Sequence, residues 1–208
     1  DLCKCGLDEE ACAVLFEGPD APALKKLVLG NNGLGTRGGA ALVAAVQRGA
    51  LPALEELNLW GCRLDEEACA ALLEGLAAAS ALNTLLLVGN HPGARGCAAL
   101  AAAVQKGALP ALEELNLLVL EGNGLGARGG AALAAAVQKG ALPALEELQL
   151  VGCALGDKAG TELLQALARR TEEASPLRVL YLRDNGLGTG SAAAAVAALR
   201  AGTLPALE

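Results

Sequence analysis

Residues 33–59 read GLGTRGGAALVAAVQRGALPALEELNL, and nearly the same string, GLGARGGAALAAAVQKGALPALEELQL, returns at residues 124–150. A third copy, GARGCAALAAAVQKGALPALEELNL, occupies residues 93–117, and three further segments are more diverged. Self-similarity at a fixed period is typical of repeat architectures, in which each repeat packs only on its neighbours. The fold can therefore be predicted from one repeat and its multiplication along the chain.

Each repeat contains the frame L-x-x-L-x-L-x-x-N/C, which begins at Leu24, Leu54, Leu82, Leu115, Leu145 and Leu177 and opens once more at Leu207. The alternating leucines predict a short strand with one buried face. A helical segment follows, with apolar residues four apart, as at Leu42 and Val46, and a basic residue and a glycine at its end, as at Arg48-Gly49. These features are typical of an amphipathic helix and its C-terminus, so each repeat is predicted to be one strand and one helix.

The residue after each strand is Cys or Asn, in nearly alternating order: Cys5, Asn32, Cys62, Asn90, Asn123, Cys153 and Asn185. Together with the leucine frame, this column resembles the leucine-rich repeat family, most closely the ribonuclease-inhibitor-type subclass found in NOD-like receptors and Ran GTPase-activating proteins. The resemblance implies an α/β horseshoe solenoid, with a parallel sheet on its concave face and α-helices on its convex face. It covers residues 1–208 as a single domain of about six full repeats with partial repeats at both ends. We therefore expect a fragment of a longer chain, with flanking repeats or neighbouring subunits at both ends.

The seven residues of that column are predicted to be structural. A buried amide can bond the backbone of the turns around it and so form a ladder along the repeats. A thiol fills the same position as a small, nearly apolar group. Cys12, Cys69 and Cys97 belong to a column of small residues, shared with Gly39, Gly130, Gly160 and Ser191, and are predicted to pack helix against strand.

Composition excludes several classes of function. The net charge is −7 and there are three aromatic residues, which argues against nucleic-acid binding. One histidine and no Cys-x-x-Cys pair leave no metal site, and no residues suggest a cofactor or catalysis, so the protein is predicted not to be an enzyme. No membrane span is expected. An odd number of cysteines without a disulfide framework favours an intracellular, cytoplasmic location, and the richness in Ala and Gly indicates a GC-rich eukaryotic genome.

Three local signals resemble chemical sites and have simpler interpretations. Residues 33–38 match G-x-G-x-x-G, but the match recurs at residues 124–129, so it is predicted to be a turn of the repeat rather than a dinucleotide site. His91 precedes Pro92 and is predicted to be an exposed turn residue. A column of cations at the helix starts, Arg37, Arg95, Arg128 and Lys158, forms either a solvated edge, which we favour, or a basic stripe.

Outward strand positions would line the concave surface, and the only Trp and the only Tyr fall among them. Trp, Tyr and Arg are enriched at interface hot spots. The predicted partner-binding residues are Trp60, Tyr181, Glu55, Asn58, Leu86, Val88, Glu146, Gln149, Arg178 and Arg183. These glutamates, with Glu56, Glu113, Glu114 and Glu147, form either an acidic stretch that attracts a partner with a basic patch or a solvated strand edge. Residues 112–120 fit two strand registers, so a bulge or lengthened turn is predicted near residues 117–121.

The function that this sequence favours is recognition of a protein partner by a rigid scaffold through its concave face. The first alternative is a structural subunit of a large multi-protein assembly. The second is a GTPase-activating or NOD-like sensor region, which the family resemblance alone implies.

Overall fold

Short strands alternate with helices in the computed structural model, which describes residues 1–76, 79, 81–105, 114–116, 125–140, 145–169 and 177–202. The helices are α1 (Glu9–Glu17), α2 (Gly35–Gln47), α3 (Glu66–Gly75), α4 (Gly93–Gln105), α5 (Gly126–Gln138), α6 (Gly156–Ala168) and α7 (Thr189–Arg200). The strands are β1 (Lys26–Val28), β2 (Glu56–Asn58), β3 (Thr84–Leu86), β4 (Glu114–Asn116), β5 (Glu147–Gln149) and β6 (Val179–Tyr181). One strand and one helix per repeat is the composition that the leucine frame predicts.

All six strands form one parallel sheet in the order β1-β2-β3-β4-β5-β6. Equivalent leucines pair from strand to strand, so Leu27 lies beside Leu57, and Leu57 beside Leu85. The frame that was expected to begin at Leu115 is shifted, because Leu115 pairs with the central leucines of β3 and β5 and therefore takes the fourth frame position, which places the start of that frame at residue 112. Each helix packs on the helix of the next repeat. The α/β class predicted from the sequence is thereby confirmed. The strands lie in the sheet in the same order as in the sequence.

The core lies between the sheet and the helices. The central leucines of five strands are buried in one cluster with helix residues such as Leu42 and Leu72. The helix pairs predicted to face the sheet are buried: Leu42 and Val46, Leu72 and Leu76, Leu133 and Val137, and Leu163 and Leu167. In α4, Leu100 is buried and the side chain of Val104 lies outside the described part. Burial of one apolar face per element is what orders the layers.

Leu24 departs from the expectation that the first frame leucine points into the core, because it is only half-buried, whereas Leu54 is buried. The chain makes its first pass beside β1 at Leu2, whose N–H donates to the Val28 carbonyl at 2.9 Å. No residue of this first segment lies beside Leu24 to cover its side chain. The predicted bulge at residues 117–121, as well as Asn123 and Glu113, lies outside the described residues.

Candidate protein interface

One side of the sheet is not covered by the helices, and we call it the open face. Its described members alternate with the buried leucines along each strand: Lys26, Val28, Glu56, Asn58, Thr84, Leu86, Glu147, Gln149, Val179 and Tyr181. Most of them are half-buried by their lateral neighbours. Turn residues directly after the strands, including Trp60, Val88, Val151 and Arg183, continue the same surface.

Trp60 is the large hydrophobic side chain that this surface exposes, with 40% of its area accessible to solvent. Glycines flank it on both neighbouring repeats, because a Cβ on Gly30 would lie 3.6 Å from the indole Cε3 and one on Gly89 would lie 3.6 Å from Nε1. The backbone N–H of Trp60 donates to Asn58 Oδ1 at 3.0 Å, which fixes the turn. Within the described part of the chain, the indole N–H has no acceptor. Trp60 is therefore a partly exposed apolar platform whose indole N–H is not bonded within the described part of the chain.

The charges of the open face pair between adjacent repeats. Lys25 Nζ lies 2.8 Å from Glu55 Oε1, and Lys26 Nζ lies 2.8 Å from Glu56 Oε2. The hydrogen bond to Glu55 raises the pKa of Lys25. At the other end of the sheet, Arg178 Nε lies 3.9 Å from Glu146 Oε2. The sequence allowed an acidic stretch, but the three glutamates named here have cationic neighbours 30 to 32 residues away in sequence.

The remaining predicted interface residues divide by exposure. Leu86, Val88, Asn58, Gln149 and Tyr181 are half-buried, whereas Arg178 and Arg183 are exposed. Arg183 forms an ion pair with its neighbour Asp184, with Nε 3.1 Å from Oδ2. Gln149 Nε2 donates to Glu147 Oε1, two residues earlier on the same strand. The open face thus combines amides, aliphatic groups and two aromatic rings, and offers few uncompensated charges.

The asparagines after the strands are buried and bond the turns. Asn90 Nδ2 donates to the carbonyls of Leu59 at 2.7 Å and Leu87 at 3.1 Å, while its Oδ1 accepts from the Leu64 N–H at 3.0 Å. Asn32 and Asn185 repeat the arrangement in their own turns. Each amide links two consecutive repeats, which holds the strands of the open face in register.

The cysteines of the same column differ from one another. Cys62 and Cys153 are buried, and Cys62 Sγ contacts the Leu29 carbonyl at 3.4 Å. Cys5 is exposed, because no residue that the structure describes packs on the outer side of residues 1–7. Burial raises the pKa of Cys62 and of Cys69, in the small-residue column, to about 12. A thiol with so high a pKa is a poor nucleophile, consistent with a packing role.

The N-termini of α2, α4 and α7 are capped from the preceding repeat, whereas α1 and α3 are capped by their own residues Asp8 and Asp65. Glu9 of α1 accepts the N–H of Arg37 in α2, and Glu66 of α3 accepts that of Arg95 in α4 at 2.6 Å. Asp157 of α6 accepts three N–H groups at the start of α7, those of Gly188, Gly190 and Ser191. These bonds, above all that of Ser191, lower the pKa of Asp157 to about 2. The sequence signal was the Asp-Glu-Glu triplet at residues 8–10 and 65–67, which the sequence analysis missed.

The N–H of Arg37 at the start of α2, in the G-x-G-x-x-G turn, is therefore already bonded to the Glu9 carboxylate. Glu9 already occupies the position that a pyrophosphate would take, and a Cβ on Gly35, whose φ is +55°, would lie 2.9 Å from the Glu9 carboxyl carbon. The neighbouring cations are also engaged, since Arg37 pairs with Glu10 and Arg95 pairs with Glu67. Arg128 and Lys158 are exposed, and His91 lies exposed in its turn.

Among the described residues, no group of three or more His, Cys, Asp or Glu could hold a metal ion. In the same part of the chain, no helix combines the length and apolarity needed to cross a bilayer.

The described residues form a parallel sheet of short leucine-centred strands that alternate with helices, and the buried amides of Asn32, Asn90 and Asn185 join consecutive turns, which is the arrangement expected of a leucine-rich repeat. A family model described as "Leucine Rich repeat" matches residues 22–43, which spans β1 and most of α2. The match supports classification as a leucine-rich repeat protein. Proteins of this class generally bind other proteins and are generally non-catalytic. No curated protein matches the chain significantly.

Proposed function

We propose that the open face binds a protein partner, with Trp60 at the centre of the contact. The observation that carries the proposal is the exposed indole, which lies between the glycines of the two neighbouring repeats and whose N–H has no acceptor in the described part of the chain. Trp and Tyr are enriched among the residues that dominate binding energy. The indole ring of Trp60 contributes apolar contact area, and its N–H can donate a hydrogen bond of defined direction to the partner.

The size of the surface favours a protein over a small molecule. Trp60 follows β2 and Tyr181 ends β6, so four strand spacings separate them. At about 4.8 Å per spacing this is roughly 19 Å. A partner that touches both aromatic rings must span that distance. Because the amides of the asparagine column fix the strands, the surface is preformed and loses little entropy on binding.

The ion pairs of the open face restrict the chemistry of the partner. Glu55, Glu56 and Glu146 are already paired across repeats, so a basic patch on the partner would compete with Lys25, Lys26 and Arg178. The partner we infer presents apolar groups and hydrogen-bond acceptors to the region around Trp60. The horseshoe curvature and the ribonuclease-inhibitor-type subclass belong to the same proposal, and the bonds of Asn32, Asn90 and Asn185 support them.

The test is a pull-down from native extract with the parent chain, the Trp60→Ala, Tyr181→Ala double variant, and Val14→Ala as a matched control. Val14 is exposed on α1, away from the open face. A hot spot of about 2 kcal/mol corresponds to a roughly 30-fold weaker Kd. We expect the control to retain the partner and the double variant to lose it. Because Trp60 is the only tryptophan, its fluorescence should also shift when the purified partner is added. Equal capture by all three chains would contradict the proposal.

A further inference from the structure

We propose that the groove between α5 and α6, on the side of these helices that faces away from the sheet, binds an amphipathic helix of a protein partner. Two cavities of about 230 and 170 Å³ lie along this groove. Ala131 and Glu162 line both of them, so the two cavities are adjacent. Because α5 also packs on α4 and α6 also packs on α7, the groove has a repeat on each side. It is separate from the open face, so this inference is independent of the proposed function.

The floor of the groove is made of methyl groups from both helices. Six alanines line the two cavities: Ala127, Ala131, Ala134, Ala135, Ala159 and Ala166. The helix pair α2 and α3 occupies the equivalent repeats 91 residues earlier, and there Val43 packs directly on Gly75. The counterparts at the groove are Ala134 and Ala166, so no branched side chain fills this position. Small side chains on both walls allow a third helix to approach closely.

Two cations without an ionic partner lie at one end of the groove. From α1 to α6, the equivalent position in the first turn of each helix carries Glu10, Arg37, Glu67, Arg95, Arg128 and Lys158. Acidic and basic residues alternate over the first four helices, and Arg37 pairs with Glu10 as Arg95 pairs with Glu67. The alternation ends at α5. Arg128 and Lys158 both line the larger cavity, are exposed, and form no ion pair in the described part of the chain.

The charges along the groove change sign twice. After the two cations comes the half-buried Glu162, where the cavities meet, and the exposed Arg169 lies at the far end. Neither Glu162 nor Arg169 forms an ion pair with another described residue. Adjacent like charges repel each other, and carboxylates of a partner would relieve the repulsion between Arg128 and Lys158. The complementary helix therefore carries acidic residues at both ends and a basic residue in its middle.

A helix fits the dimensions and the composition of the groove. Residues 127–138 of α5 border it, which is a length of roughly 17 Å at 1.5 Å per residue. A partner helix of about three turns covers that length, with apolar side chains three or four residues apart entering the two cavities. A nucleic-acid backbone would find few contacts, because Glu162 interrupts the cations and the net charge is −7. A bilayer is disfavoured too, because the described helices α5 and α6 expose no large apolar side chain.

The test begins with a phage-displayed library of random peptides of about 16 residues, roughly four helical turns, selected on the parent chain. Selected peptides are then measured singly by fluorescence anisotropy. We expect a class with apolar residues three or four apart and acidic residues beside them. Arg128→Glu with Lys158→Glu should weaken the Kd of this class by about tenfold or more, because attraction becomes repulsion. Ala131→Phe should weaken it as well, because a helical side chain leans towards the N-terminus and would fill the larger cavity.

The matched control is Arg63→Glu with Arg200→Glu. Both arginines are exposed, neither has an ion pair in the described part of the chain, and the change in net charge is the same as in the groove variant. This control should bind the peptides like the parent, and so should the Trp60→Ala, Tyr181→Ala variant. Circular dichroism checks that every variant is folded.

Two results would overturn the inference and leave the open-face proposal untouched. One is a selection in which no peptide distinguishes the parent from the groove variants. The other comes from duplex DNA and phosphatidylserine vesicles as comparison probes. If either binds the parent more tightly than the peptides do, is lost with Arg128→Glu and Lys158→Glu, and is unaffected by Ala131→Phe, the cations serve an anionic surface and the groove itself has no part in binding.

Discussion

Asn90 and Cys62 show how differently two residues can fill the same position after a strand. Asn90 satisfies two carbonyls and one N–H with side-chain bonds of 2.7 to 3.1 Å. Cys62 makes only long contacts through sulfur, to the carbonyls of Leu29 and Trp60. Both side chains are buried, so what distinguishes them is the number of backbone groups left unsatisfied when the side chain is removed.

Replacement of Asn90 by Ala should therefore cost far more stability than replacement of Cys62 by Ala. An unsatisfied buried polar group costs about 1 to 3 kcal/mol, so Asn90→Ala should lower the free energy of unfolding by about 3 kcal/mol. Cys62→Ala should lower it by about 1 kcal/mol, the typical effect of a point substitution. Urea unfolding followed by circular dichroism measures both, and equal losses would show that the amide bonds contribute no more than packing.

The N-terminus of α7 is capped by a side chain of the preceding helix, α6. Asp157, in the first turn of α6, accepts N–H groups from Gly188, Gly190 and Ser191 at 2.7 to 3.1 Å. The ionised carboxylate makes these bonds best, and the pKa of Asp157 is accordingly lowered from 3.8 to about 2. A depressed pKa in the folded state stabilises the fold above the unfolded pKa and ceases to do so below the folded one.

Asp157→Asn should consequently be less stable than the parent above pH 3.8, and the difference should shrink as the pH falls towards 2. Thermal melts of both chains across this range measure the effect. Glu162→Gln, on the same helix, is the matched control, because the structure describes no bond from Glu162 to the backbone of α7. A constant difference between parent and Asp157→Asn would show that the carboxylate charge plays no part in capping.

The elements themselves were predictable from the sequence, whereas the contacts between them were only partly so. The leucine frame predicted the strands, and the Leu42–Val46 spacing predicted the buried helix face, because both follow from local periodicity. The pairing of Lys25 with Glu55 requires the lateral register of two strands, which no single repeat contains. The bond from Arg37 N–H to Glu9 also crosses a repeat boundary. Exposure of Cys5 depends on the absence of a packed neighbour rather than on residue type.

The whole molecule is a linear series of contacts. Each helix packs on the helices of the adjacent repeats, and each strand pairs with those of its sequence neighbours. In such proteins the stability of a repeat is the sum of its own term and its interfaces with adjacent repeats. Among the helices that the structure describes, α1 and α7 each pack on one other helix and the rest pack on two, so α1 and α7 are the least supported of them.

Amide hydrogen exchange at low protein concentration should therefore show the fastest exchange in α1 and α7 and the slowest in α2, α3 and α6. Mass spectrometry of peptic fragments resolves the helices separately. Uniform protection from α1 to α7 would mean that the fold opens as one cooperative unit instead of from its ends.

Capping across repeats also bears on how such a chain can lengthen during evolution. A repeat that opens with an acidic turn, such as that of α1 or α3, supplies the carboxylate that the next helix lacks. A glycine-led repeat duplicated alone would place the new helix after one that offers no carboxylate, whereas duplication of an acidic repeat together with the glycine-led repeat after it copies the cap as well. The glycine-led helices α4 and α5 stand in succession in this chain, and α5 has no side-chain cap at its N-cap residue, so a pair of repeats is the unit that preserves the cap rather than the only unit by which such a chain can lengthen.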